Sequence, residues 1–85
     1  MSVTSTTTAS KVLDVLVRIT GTDEVRRNLD LPLFDTGLLD SLGVAELIIG
    51  LSDTLGIEIA PSEVERDLWS TPRQIIAYTE ERIKA

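Results

Sequence analysis

The stretch Leu33-Phe34-Asp35-Thr36-Gly37-Leu38-Leu39-Asp40-Ser41-Leu42-Gly43 joins a connection without helical period to a segment that has one. Asp40 suits a helix N-cap, because a short carboxylate accepts hydrogen bonds from the unpaired N–H groups of a first turn. Behind it Val44, Leu47, Ile48, Leu51 and Leu55 recur at helical spacing, which predicts a helix from about Ser41 to Leu55. Gly56 ends it. Ser41 then presents a hydroxyl at the positive end of a helix dipole, where free N–H groups stabilise an anion such as a phosphate ester. Capping chemistry alone also accounts for an Asp-Ser pair.

Upstream, Val12, Leu16 and Ile19 form a stripe with Leu13 and Val15 beside it, opposite Lys11, Asp14 and Arg18. This predicts an amphipathic helix over residues 10–20, with Asp14 and Arg18 as an i,i+4 pair and Gly21 as its C-terminal cap. Residues 22–39 lack a sustained period but carry Leu29, Leu31, Leu33, Phe34, Leu38 and Leu39. So long a connection is unusual in a small domain unless it is functional, and its apolar side chains place it across the core. Its Arg26 and Arg27 read as a solvated face.

Downstream, Ile57 and Ile59 alternate with Glu58 as extended loop, and residues 61–66 read as a short helical turn in which Ser62 and Glu65 have capping-box spacing. Thr71 as N-cap, Pro72 at the first helical position and Gln74 at the third open a last helix whose inner side is Ile75, Ile76, Thr79 and Ile83. Trp69 reads as a core plug near Ile57 and Ile59. Residues 1–8, rich in Ser and Thr, read as a flexible tail, and residues 9–85 as one domain. The expected fold is all-α: a small antiparallel four-helix bundle of three longer helices and one short one, with a long first loop.

Composition restricts function. The chain has 85 residues, a net charge of -6, and neither cysteine nor histidine. Disulfides, thiolate nucleophiles, imidazole bases and the usual ligands of zinc or iron–sulfur sites are excluded. An acidic chain is a poor nucleic-acid binder. No apolar run approaches the roughly 20 residues of a membrane span, and the N-terminus lacks a signal-peptide pattern. A cytoplasmic protein with no membrane insertion is expected. No catalytic residue and no metal site are expected; Asp30, Asp35 and Asp40 do not have the spacing of a calcium loop. Without a base Ser41 cannot activate itself, so it is a hydroxyl for another enzyme to modify.

The run Gly37-Leu38-Leu39-Asp40-Ser41-Leu42 resembles the attachment motif of acyl and peptidyl carrier proteins. The resemblance is closer to the D-alanyl carrier branch of that family, over nearly all of residues 11–83. It rests on Ile19-Thr20-Gly21-Thr22-Asp23-Glu24-Val25-Arg26, Asn28-Leu29-Asp30, Leu33-Phe34 and Thr36 through Ser41. It continues in a Phe-like Leu55 followed by Gly56-Ile57-Glu58, in Asp67 and Trp69, and in Thr71-Pro72. The resemblance implies a fold of this same kind. It also implies a 4'-phosphopantetheine arm, donated by coenzyme A and joined to Ser41, with Asp40 part of the attachment motif. The arm's thiol would hold the cargo as a thioester, which suits a chain without cysteine. The implied partners are a phosphopantetheinyl transferase, an adenylation enzyme or amino-acid ligase, and an acyltransferase or downstream synthase. A carrier that visits several partners in turn is expected to be a monomer.

One departure concerns the second helix, whose only charges are Glu46 and Asp53, fewer than carriers of fatty-acid synthesis display. Leu42, Ala45 and Ile49 fall off its core stripe and are expected to form an exposed docking surface, with Glu46 and Asp53 at its rim. The alternative is that Ile49 packs against the first loop. Gly43 and Gly50, inside the helix, allow close approach of a partner or of the arm, or are neutral.

Two pathways fit an aminoacyl carrier: D-alanylation of teichoic acids, and a stand-alone carrier feeding polyketide or peptide natural-product biosynthesis. Arg outnumbers Lys by 6 to 2, and Asn28 and Gln74 are single occurrences. This GC-rich pattern tilts the expectation towards the natural-product pathway. A carrier-like fold that bears no arm and serves as an interaction module is a further alternative, which the intact Asp40-Ser41-Leu42 disfavours.

Overall fold

Helix α1 (Thr8–Thr20) starts ahead of the expected residue 10, because the Thr7 side chain accepts from the Ser10 N–H and caps it. The computed structural model describes residues 7–84. Most of the expected tail, residues 1–6, lies outside the described residues. Three further α-helices follow: α2 (Glu24–Arg27), α3 (Ser41–Leu55) and α4 (Pro72–Lys84). Single 3-10 turns at Pro61–Glu63 and Arg66–Leu68 link α3 to α4, and no strand occurs among the described residues. Gly21 and Gly56 close α1 and α3 in the left-handed conformation, each donating its N–H to the carbonyl four residues back.

The core is aliphatic around one indole. Val12, Val15 and Leu16 of α1 meet Leu47 and Leu51 of α3 and Ile75 of α4, with Ile59 and Trp69. Trp69 is fully buried, and its ring lies 5.2 Å from that of Tyr78. Its indole N–H has no hydrogen-bond partner among the described residues, so the residue contributes through buried area rather than polarity. Buried Thr79 satisfies its hydroxyl by donating to the Ile76 carbonyl. Ile83, expected inside, is exposed at the end of α4.

The α1–α3 contact depends on Gly50. A Cβ built there would lie 2.7 Å from Val15 Cγ1, closer than carbon atoms can pack. Gly50 is therefore a packing residue. Gly43 is also buried, with an added Cβ 3.1 Å from Leu39 Cδ1, so it belongs to the seat of the first loop. Of the two, Gly50 is the one where an added Cβ forces a neighbour to move.

The first connection is pinned as its leucines require. Val25, Leu31, Leu33 and Leu39 are buried. The Leu33 N–H donates to the Ser70 carbonyl at 2.8 Å, and the Arg73 N–H donates to the Leu29 carbonyl at 2.9 Å. Arg73 also pairs with Asp30, holding that carboxyl below its ordinary range through the hydrogen bond and the charge of the guanidinium. Inside the connection α2 forms one turn, which periodicity over the whole stretch does not reveal. Arg26 and Arg27 are exposed but engaged: Arg26 pairs with Asp14, and Arg27 with Asp23 at 2.8 Å. Asp14 thus takes its partner from the loop rather than from Arg18.

Two caps differ from expectation. Glu63, not Glu65, reaches back along the chain, accepting from the Ala60 N–H at 3.1 Å. Glu63 also accepts from Tyr78 Oη at 2.6 Å and pairs with Arg82, which ties the 57–64 segment to α4. Those donors, the tyrosine first, hold the Glu63 carboxyl below its ordinary range, and the same bond raises the Tyr78 phenol. At α4 the Thr71 hydroxyl caps the Gln74 N–H as expected, while the Gln74 side chain accepts from the Ser70 N–H rather than from Thr71.

Candidate functional site

The approach to Ser41 is built by a tight reversal. Thr36 donates its N–H to the Pro32 carbonyl, Gly37 to Phe34, and Leu39 to Leu33. Gly37 has φ 77°, a left-handed conformation that a residue with a Cβ adopts only under strain. This turn lets Leu39 drop into the core while Asp40 stays extended as the cap of α3.

Asp40 performs the expected capping. Its Oδ1 accepts from the Gly43 N–H at 2.8 Å, and its carbonyl accepts from Val44. The N–H groups of Ser41 and Leu42 have no partner among the described residues. They and the end of a 15-residue helix make the surroundings of the Ser41 hydroxyl favourable to negative charge. Ser41 is exposed. No carboxylate, amine or other base is hydrogen-bonded to its hydroxyl among the described residues.

Beside Ser41 runs a groove of about 440 Å³, walled by Phe34, Leu39, Val44, Pro61, Val64 and Arg66. Arg66 lies over the Phe34 ring, its guanidinium carbon 4.5 Å from the centroid. Sequence reading placed no function on Phe34, Pro61, Val64 or Arg66. The one available signal was the single phenylalanine of the chain standing in the loop that leads to Ser41.

The outer face of α3 is as expected from its pattern. Leu42 is 70% and Ile49 62% exposed, and Ala45, Glu46 and Asp53 are exposed too. Ile49 therefore does not pack under the first loop. Arg18, released from Asp14, lines a shallow depression with Glu46, Ile49 and Asp53. No group of three carboxylates able to hold a metal ion, and no helix long and apolar enough to cross a membrane, occurs among the described residues.

An exposed hydroxyl, two free N–H groups and an adjoining groove are what a phosphate-linked chain at Ser41 requires. Residues 10–79 match the family model described as "Phosphopantetheine attachment site". The chain is 50% identical over 70 residues to the D-alanyl carrier protein of Lacticaseibacillus casei, which spans 82% of this chain and 86% of that protein. It is 48% identical over 69 residues to the D-alanyl carrier protein of Enterococcus faecalis, over 81% of this chain and 88% of that one. Against the D-alanyl carrier protein of Listeria monocytogenes the identity is 46% over 69 residues, with 81% and 88% covered.

Proposed function

The chain belongs to the phosphopantetheine-attachment family of carrier proteins, whose members carry the arm covalently, and we propose that it is a D-alanyl carrier with Ser41 as its attachment point. The arm supplies a terminal thiol that holds the amino acid as a thioester. The chain's own residues do the rest. Asp40 fixes the first turn of α3, so that the Ser41 hydroxyl stands clear of the core. The free N–H groups of Ser41 and Leu42 stabilise the phosphodiester anion. Leu42, Ala45 and Ile49, rimmed by Glu46 and Asp53, offer an apolar face beside the attachment point. On this reading the transferase, the loading ligase and the acceptor enzyme each use that face in turn, and the carrier works as a monomer without catalysing a step itself.

What supports D-alanine as cargo is the identity of 50% to a D-alanyl carrier protein across 70 residues that include the whole site. The tilt of composition towards natural-product biosynthesis gives way to this likeness. The arginine excess is a property of the whole chain, and Arg66 is the one arginine lining the groove.

Loading tests the reading. The holo protein, offered a D-alanine-activating ligase and ATP, is expected to gain one D-alanyl group, and L-alanine is expected to load poorly. Loading by an unrelated adenylation enzyme with another amino acid, and none with D-alanine, would return the natural-product reading.

A further inference from the structure

Resting on attachment at Ser41, we propose that Arg66 receives the phosphodiester of the arm and turns the arm into the groove between the first connection and the 61–66 segment. The phosphodiester is an anion placed in an unfavourable field. The chain carries a net charge of -6, and Asp40, whose side chain accepts from the Gly43 N–H, stands in the wall beside Ser41. Free N–H groups at the helix end offset part of that repulsion, and a cation lining the same groove offsets more.

Arg66 is suited to that task by what it does not do. Arg26, Arg27, Arg73 and Arg82 each hold a carboxylate, and Arg18 lines the depression with Glu46 and Asp53. Arg66 has no carboxylate partner among the described residues. Its guanidinium lies over the Phe34 ring, a contact that consumes none of its five N–H donors. Its backbone is anchored, since the Trp69 N–H and the Ser70 hydroxyl both donate to its carbonyl. An anchored, ring-supported guanidinium with free donors is prepared for a phosphate, where its planar fork makes paired hydrogen bonds. Past the phosphate, the walls Phe34, Leu39, Val44, Pro61 and Val64 suit the gem-dimethyl and methylene groups of a pantetheine chain.

The test is nuclear magnetic resonance on the full chain, labelled with 15N and 13C, before and after the arm is attached with coenzyme A and a phosphopantetheinyl transferase. Intact mass first establishes attachment. On going from apo to holo, the Arg66 Nε–Hε resonance is expected to shift and to exchange more slowly with water. Nuclear Overhauser contacts are expected between the pantetheine methyls and Phe34 and Val64. Arg66→Gln is expected to lose those contacts and to shift the 31P resonance, Arg66→Lys to keep part of them, and the distant Arg73→Gln to change neither. Arg66 is exposed, so the variants should melt with the wild type; the wild-type Arg66 signal gives the answer even where a variant does not fold. Attachment with an unmoved Arg66 resonance overturns this proposal alone, as does a resonance that moves only when transferase is added, which would give Arg66 to a partner's carboxylates. No attachment overturns it together with the carrier reading.

Discussion

On its inner face α3 sets Leu47 and Leu51, both fully buried, against α1, with Gly50 letting the Val15 side chain approach its backbone. On its outer face the same helix sets Leu42 and Ile49, at 70% and 62% exposure, into solvent. The two faces are built from the same kinds of side chain, so apolarity does not separate them. What separates them is the neighbour: α1 seats on the face where glycine removes a Cβ, while no described residue covers Leu42 and Ile49 on the outer face. Single exposed apolar residues need no explanation, but here they share one helix face with Ser41, which is what the proposed docking of partner enzymes calls for.

Truncation should break the symmetry of composition. Leu47→Ala and Leu51→Ala are expected to cost about 2–5 kcal/mol each, for lost burial plus the cavity left behind. Leu42→Ala and Ile49→Ala should stay within about 0.5 kcal/mol. Urea unfolding of the four variants checks this, and equal losses on both faces would abolish the distinction. Leu42→Arg and Ile49→Arg should leave the helical circular dichroism intact while slowing modification and loading.

Gly50→Ala sharpens the same comparison. Exchanging a mid-helix glycine for alanine gains about 1 kcal/mol of helix propensity. At Gly50 the new methyl meets Val15, and overpacking of that kind costs about 1–3 kcal/mol. A net loss of stability is expected; a net gain would mean that α1 does not seat so closely. Asp40→Ala, at the end where the two faces meet, should cost about 1 kcal/mol through the lost cap, read as a lower melting temperature.

The smallest effect is a pH dependence away from α3. The Glu63 carboxyl is held low, chiefly by the Tyr78 hydroxyl. A depressed carboxyl contributes stability that is complete above its unfolded value of 4.5 and is lost as pH falls through the lower folded value. Tyr78→Phe should flatten that part of the stability curve below about pH 5 and leave the neutral region nearly parallel to wild type. An unchanged acid slope would remove Glu63 from the link between the 57–64 segment and α4.

Much of this arrangement was legible in the chain. The bounds of α3, the Asp40 cap, the terminal glycines and the exposure of Leu42, Ala45 and Ile49 all follow from local spacing, which a sequence displays directly. The seating of the first connection followed from its leucines. What escaped was whatever depends on residues distant in sequence. Asp14 chose Arg26 across a loop rather than Arg18 on its own helix, because the loop folds back over α1. Gly50 looked like a weak helical residue until Val15 was placed opposite it. The groove wall from Pro61 to Arg66 adjoins Ser41 only after two turns have folded, so no local pattern announces it. The choice between pathways escaped for another reason: overall composition reports on no single residue of a site.

The most direct test of the central claim is the intact mass of the wild type and of Ser41→Ala after incubation with coenzyme A and a broad-specificity phosphopantetheinyl transferase, with fragmentation to locate any added group. The account predicts one phosphopantetheine on the wild type, located at Ser41, and none on Ser41→Ala, with both proteins melting alike because Asp40 remains as the cap. An unmodified wild type beside an active transferase control, or modification at any residue other than Ser41, would contradict it.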